Sequence, residues 1–157
     1  MTDHAAHMRR AIALAAEHSA QGEGGPFGAV VVLNGEVIGE GWNQVVGTND
    51  PTAHAEIVAI RAACRHLRRY ALEGAVVYTS CEPCPMCLAA LYWARVAYVY
   101  YANDRAGAAA IGFDDAVLYD EVALPPQDRS LPMTRLLPDE ARAGFDEWLG
   151  KADRVVY

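Results

Sequence analysis

The sequence predicts an α/β fold, a three-layer α/β/α arrangement around a central mixed sheet. Three observations carry this expectation. Short apolar runs rich in valine and tyrosine alternate with segments of helical composition. One pair of runs is separated by the two residues Asn34-Gly35, a strong hairpin signal that imposes antiparallel pairing. The later runs are joined only through helices, and such crossovers bring strands together in parallel.

His4–Ala20 reads as a helix from its alanine and leucine content, with Met8, Ile12, Ala15 and Ala16 on one face. Gly22 then sits where helices stop. Phe27–Leu33 (FGAVVVL) and Glu36–Trp42 (EVIGEGW) are the hairpin strands. His54–Arg69 is a second helix, Ala75–Thr79 (AVVYT) a buried strand, Pro85–Ala94 a third helix and Val96–Tyr101 (VAYVYY) another buried strand. Pro138–Gly150 reads as a late helix. Without repeats or a linker, the 157 residues are expected to form one domain, 1–157, with a real core.

The longest uncharged apolar run, Pro83–Ala94, is too short to span a bilayer, and no secretory signal is read at the start. Four cysteines without an export signal indicate reduced thiols and a cytoplasmic protein. A net charge of −7 weighs against a polyanionic partner held by bulk electrostatics, so nucleic acid is not the expected ligand. Arg61, Arg65, Arg68 and Arg69 fall near one side of the second helix, which is read as a solvated face.

Three of the four cysteines fall within TSCEPCPMCL, at 81, 84 and 87. Proline fits the first helical position and holds the residue before it extended. Cys84 is therefore the expected N-cap, Pro85 the first helical residue and Cys87 the third, a pair of positions whose side chains meet over the helix start. The positive end of the helix favours the thiolates a metal requires. Cys81, at a strand end, is read as a buried neighbour. The third ligand is expected to be His54 in PTAHAEI, with Asp50-Pro51-Thr52 supplying the turn before it. His54 and Glu56 converge only if His54 stands at the helix end, because residues two apart on a regular helix point to nearly opposite sides. Two helix N-termini would then meet at one zinc with an open fourth position, the pattern of a catalytic site. The alternative, a closed structural site with Cys81 as fourth ligand, leaves Glu56 without a task; metal content in Cys81→Ala separates the two.

HAE followed downstream by PCxxC is the signature of zinc deaminases. The chain resembles the cytidine deaminase-like superfamily, and more narrowly the bacterial guanine deaminases. The stretches that carry the likeness are GGPFGAVVV, NDPTAHAEIVAIRAAC, YTSCEPCPMCLAALYWAR, AAAIGFDD and the closing VVY. NDPTAHAE is also found in adenosine deaminases acting on tRNA; SCEPCPMC with YWAR and GFDD is the more specific part.

The resemblance implies a cytidine deaminase-like fold and one zinc ion per subunit, on His54, Cys84 and Cys87. It implies hydrolytic deamination of guanine to xanthine and ammonia. Glu56 would take a proton from a zinc-activated water and deliver it to ring N3, and the same carboxyl would then protonate the departing amine. It further implies that Asn43 hydrogen-bonds the purine and that Asp114 accepts from its N–H edge, while loop capping by Asn43 and a solvated turn for Asp114 or Asp115 remain open. The backbone N–H of Ala55 would face the substrate; Phe27 and Trp93 would pack on the base or in the core. A homodimer is implied in which a C-terminal segment, about 138–157, is exchanged and Tyr157 closes the partner's pocket. Competing readings are a tRNA adenosine deaminase, a deaminase of guanosine, cytosine or an aminotriazine, and a noncatalytic zinc-binding interaction module.

Overall fold

The computed structural model describes residues 3–157. The chain forms two compact units, Met1–Asp115 and Ala116–Tyr157. The first holds α1 (His4–Ala20), β1 (Gly28–Leu33), β2 (Glu36–Trp42), α2 (Val45–Thr48), α3 (Ala55–Leu67), β3 (Val76–Cys81), α4 (Pro85–Trp93), β4 (Tyr98–Asn103) and α5 (Arg105–Ala110). The second holds α6 (Ala116–Ala123), a 3-10 turn at Pro126–Asp128 and α7 (Pro138–Gly150). Among the described residues no helix is long and apolar enough to cross a membrane.

The sheet is mixed, in the order β2-β1-β3-β4. β1 pairs antiparallel with both β2 and β3, and β3 pairs parallel with β4 across the α4 crossover. The hairpin turn is as the sequence requires: Asn34 and Gly35 have φ of 53° and 85°, the left-handed pair that matches strand twist.

Alternate residues of β1 enter two different cores, which shows both sheet faces to be covered. Val30 and Val32 pack with Ala11 and Leu14 of α1 and with Tyr78. Ala29 and Val31 pack on the other face with Ala55, Ala59 and Ala63 of α3, Val77, and Leu91 of α4. Gly39 and Gly41 let α3 lie directly on β2, since a Cβ at either would run into the α3 backbone at Ala59 and Ala63, or at Ala55 and Ala59. That close approach fixes where α3 begins.

Two local expectations are corrected. The buried stripe of α1 is Ala11, Leu14 and Ala15, whereas Ile12 is 46% exposed. Gly28 brings the strand against the α1 backbone at Ala11 and Ala15, so the face that carries these residues and Leu14 packs on the sheet and Ile12 lies off it. The short helices α2, α5 and α6 were not foreseen, because four to eight residues carry too little periodicity to read.

Candidate active site

Asp50 organises the turn that precedes α3. Its Oδ1 accepts from Thr52 N–H at 2.8 Å and from Thr52 Oγ1 at 2.6 Å, and its carbonyl accepts from Ala53 N–H at 3.0 Å. The turn leaves His54 as the N-cap of α3, extended at φ −68° and ψ 157°, with its carbonyl accepting the first helical bond from Val58. Cys84 is the N-cap of α4 in nearly the same conformation, φ −65° and ψ 167°, with Pro85 at the first helical position. Two helix N-termini therefore converge.

Their side chains meet. His54 Nδ1 lies 3.5 Å from Cys84 Sγ and 3.6 Å from Cys87 Sγ. Among the described residues these three form the group of side chains placed to hold a metal ion, their donor atoms all within 4.8 Å of one another. The spacing suits zinc. Zinc–sulfur and zinc–nitrogen bonds of about 2.3 and 2.0–2.1 Å at a tetrahedral angle separate nitrogen from sulfur by about 3.5–3.6 Å.

The electrostatics favour a thiolate at one of the two cysteines. A hydrogen bond from Cys87, helped by His54, brings the Cys84 thiol down to about 4, while Cys87 keeps its proton because it shares it with Cys84 and is buried. The Cys84 sulfur in turn raises the His54 imidazole. Cys81 behaves differently. It is buried, its Sγ lies 3.7 Å from the Asp104 carbonyl, and burial pushes it up to about 11. It is not part of the His54, Cys84, Cys87 group.

Glu56 is the buried acid beside this group, 6% exposed in the first turn of α3. Burial raises its carboxyl above the ordinary value of 4.5, against hydrogen bonds from its own backbone, Cys87 and Thr79 that pull the other way. Thr79 Oγ1 donates to Glu56 Oε1 at 3.0 Å. Thr79 was not foreseen; its one signal in the sequence is a hydroxyl closing the apolar run AVVYT.

The remaining candidates are distributed as follows. Asn43 is buried; its N–H donates to the Phe27 carbonyl at 3.0 Å and its Oδ1 accepts from Val45 N–H at 3.1 Å, so it does cap the loop. Ala55 is fully buried between His54 and Glu56. Phe27 packs against the α3-side core and meets Phe113 edge-on, centroids 4.9 Å apart at 89°. Asp114 is exposed, whereas its neighbour Asp115 is partly buried, lies 3.7 Å from Arg105 and has its carboxyl raised by burial. Trp93 is 67% exposed at the far end of α4, about 13 Å along the helix from Cys84. It therefore does not pack in the core. Tyr157 is 70% exposed in the second unit.

Comparison with known proteins matches this architecture. Residues 1–103 match the family described as the cytidine and deoxycytidylate deaminase zinc-binding region. The guanine deaminase of Bacillus subtilis (strain 168) is 46% identical over 155 residues, a span that covers 99% of this chain and 99% of that protein. A crystal structure of guanine deaminase from Bacillus subtilis superposes with a TM-score of 0.96 at 46% identity, covering 99% of both chains. The tRNA-specific adenosine deaminase of Agrobacterium fabrum (strain C58 / ATCC 33970) is 49% identical over 85 residues, 54% of this chain and 56% of that one. The chain thus belongs to the cytidine and deoxycytidylate deaminase zinc-binding family, and over 99% of its length it is a homologue of guanine deaminase.

Proposed function

We propose that this protein hydrolyses guanine to xanthine and ammonia. Its family makes it a hydrolase of carbon–nitrogen bonds in cyclic amidines. The observation that carries the guanine reading is the extent of the likeness: it runs through both compact units to a guanine deaminase, whereas the likeness to a tRNA adenosine deaminase spans about half the chain. A net charge of −7 also disfavours an RNA substrate.

In this reading His54, Cys84 and Cys87 hold one zinc per subunit. Bound there, zinc would supply a water whose pKa is lowered toward neutrality. Glu56 takes the proton of that water and passes it to N3 of guanine as the water oxygen adds to C2. The same carboxyl then takes the hydroxyl proton of the C2 adduct and gives it to the amine, so that ammonia departs and the C2 carbonyl of xanthine remains. Burial supports the role, because a desolvated carboxylate has an enhanced affinity for the proton it must accept.

Guanine offers donors at N1–H and its exocyclic amine, which a carboxylate at Asp114 accepts; adenine has no N1–H. Asn43 donates to an acceptor on the base, Ala55 N–H and Phe27 complete the pocket, and Trp93 meets the base only if a partner subunit brings it there. The exposed apolar side chains of α7 and the tail, Phe145, Leu149, Val156 and Tyr157, support a homodimer in which the C-terminal segment is exchanged and Tyr157 closes the partner's site. The protein is read as cytoplasmic.

Purified protein with guanine, guanosine, adenine, cytosine, an aminotriazine and a tRNA anticodon stem, followed by ammonia release, tests the substrate. Guanine should be turned over at least about 100-fold faster per unit concentration than the others. Preferred release from the anticodon stem overturns the reading. Removal of the final residues should cost guanine turnover and leave zinc in place; unchanged turnover refutes the lid role of Tyr157.

A further inference from the structure

The loop of residues 22–27 (GEGGPF) leads from α1 into β1, and Glu23 ties it down at four points. The carboxylate spans two rings. Glu23 Oε1 lies 3.0 Å from His18 Nδ1 on α1, and Oε2 accepts from Trp42 Nε1 at 2.5 Å at the end of β2. The two rings are stacked flat, with centroids 3.7 Å apart at 7°. Glu23 N–H donates to the His18 carbonyl at 3.3 Å, and the Glu23 carbonyl accepts from Gly47 N–H at 2.9 Å. Trp42 itself packs against the α1-side core.

The neighbours of this clasp are as informative. Trp42 is followed by Asn43, and Glu23 by Gly24. Gly24 is pressed so closely on Asn43 that a Cβ there would strike both its Oδ1 and its carbonyl oxygen. Residues 23–24 therefore grip residues 42–43 in step, side chain to side chain and then backbone to side chain. Asn43 Oδ1 accepts from Val45 N–H, a bond that fixes the plane of the amide and leaves Nδ2 to donate elsewhere. A charged acceptor held by two ring N–H groups is a short, directional anchor, and no part of it belongs to the His54, Cys84, Cys87 group.

We propose that Glu23 is a positioning residue which, through Trp42 and His18, fixes the Asn43 amide and so sets the affinity for the substrate base. The inference rests on Asn43 as a purine-binding residue. Loss of a contact made equally in ground and transition states raises KM and leaves kcat alone.

Glu23→Ala should raise KM for guanine about tenfold with kcat within about twofold, and weaken binding of the product xanthine in parallel. Glu23→Gln should restore both, because its amide oxygen still accepts from Trp42 Nε1 and its nitrogen donates to His18 Nδ1 once that imidazole takes the Nε2–H tautomer. In an Asn43→Ala background, Glu23→Ala should add less than about twofold, since its effect runs through the missing amide. Trp42→Phe, which keeps the stack and removes the indole N–H, gives the same reading should Glu23→Ala not fold. If Asn43→Ala raises KM while Glu23→Ala and Trp42→Phe do not, or if the two effects multiply independently, the clasp is structural only and the proposal fails with the role of Asn43 intact. If Asn43→Ala itself leaves KM and xanthine binding unchanged, Asn43 does not bind the base and both fall.

Discussion

Thr79 and Glu56 are joined across the site-bearing face of the sheet: the Thr79 hydroxyl on β3 donates to the Glu56 carboxylate on α3 at 3.0 Å, and both residues are buried. The bond orients the acid that the proposed chemistry uses. A hydrogen bond to a charged group contributes about 1.5–3 kcal/mol. Thr79→Val, nearly equal in volume, should therefore lower kcat/KM for guanine by about 10- to 100-fold while zinc content stays at the wild-type level. Steady-state kinetics alongside metal analysis checks this; undiminished kcat/KM would mean that the hydroxyl does not orient the acid.

His54→Ala, Cys84→Ser and Cys87→Ala should each lose zinc, because the proposed site has three ligands and would not survive the removal of one. Cys81→Ala should keep it, since the Cys81 sulfur faces the Asp104 carbonyl and burial keeps its thiol protonated up to about 11. Elemental analysis of the four variants distinguishes an open site from a closed one. Zinc lost from Cys81→Ala would indicate a fourth protein ligand.

Gly41→Ala should disturb both stability and catalysis. The added Cβ would meet the backbone of α3 at Ala55 and Ala59, and Ala55 stands between His54 and Glu56. Overpacking of this kind costs about 1–3 kcal/mol. Thermal unfolding should report that loss, together with a fall in guanine turnover. Wild-type Tm and turnover would show that α3 is not seated by this glycine.

Arg10 clamps Glu40 through two bonds of 2.7 Å and holds its carboxyl below the ordinary value of 4.5. A lowered folded value means the unfolded chain binds the proton more readily. The stabilisation is therefore complete above pH 4.5 and is lost as pH falls through the folded value. Both side chains are substantially exposed, so solvent screening keeps the effect small. Glu40→Gln should lower Tm by about 1–3 °C near neutral pH, and the gap to wild type should close in acid. A gap that persists undiminished below about pH 3 would assign it to packing rather than to charge.

Much of the site could be read from sequence because its decisive features are local. Pro85 dictates that Cys84 caps α4, and the Asp50-Pro51-Thr52 turn dictates that His54 caps α3; both residues stand in the extended conformation that those signals demand. The hairpin at Asn34-Gly35 and the parallel pairing of β3 with β4 follow from turn chemistry and from the α4 crossover. What escaped was long-range. Thr79 reaches Glu56 across 23 positions, and Trp42 reaches Glu23 across 19, through the pairing of strands and loops that no single window contains. The exposed position of Trp93 escaped for the same reason. An aromatic residue in an apolar helix reads as core until the neighbours that cover the helix are known.

Glu56→Gln tests the central chemistry most directly, because it exchanges the group proposed to carry the proton for one of the same shape. Zinc content and ammonia release from guanine should be measured on the same preparation. The expected result is wild-type zinc with turnover reduced by about 10²- to 10⁴-fold. Near-wild-type ammonia release from a fully metallated variant would contradict the account.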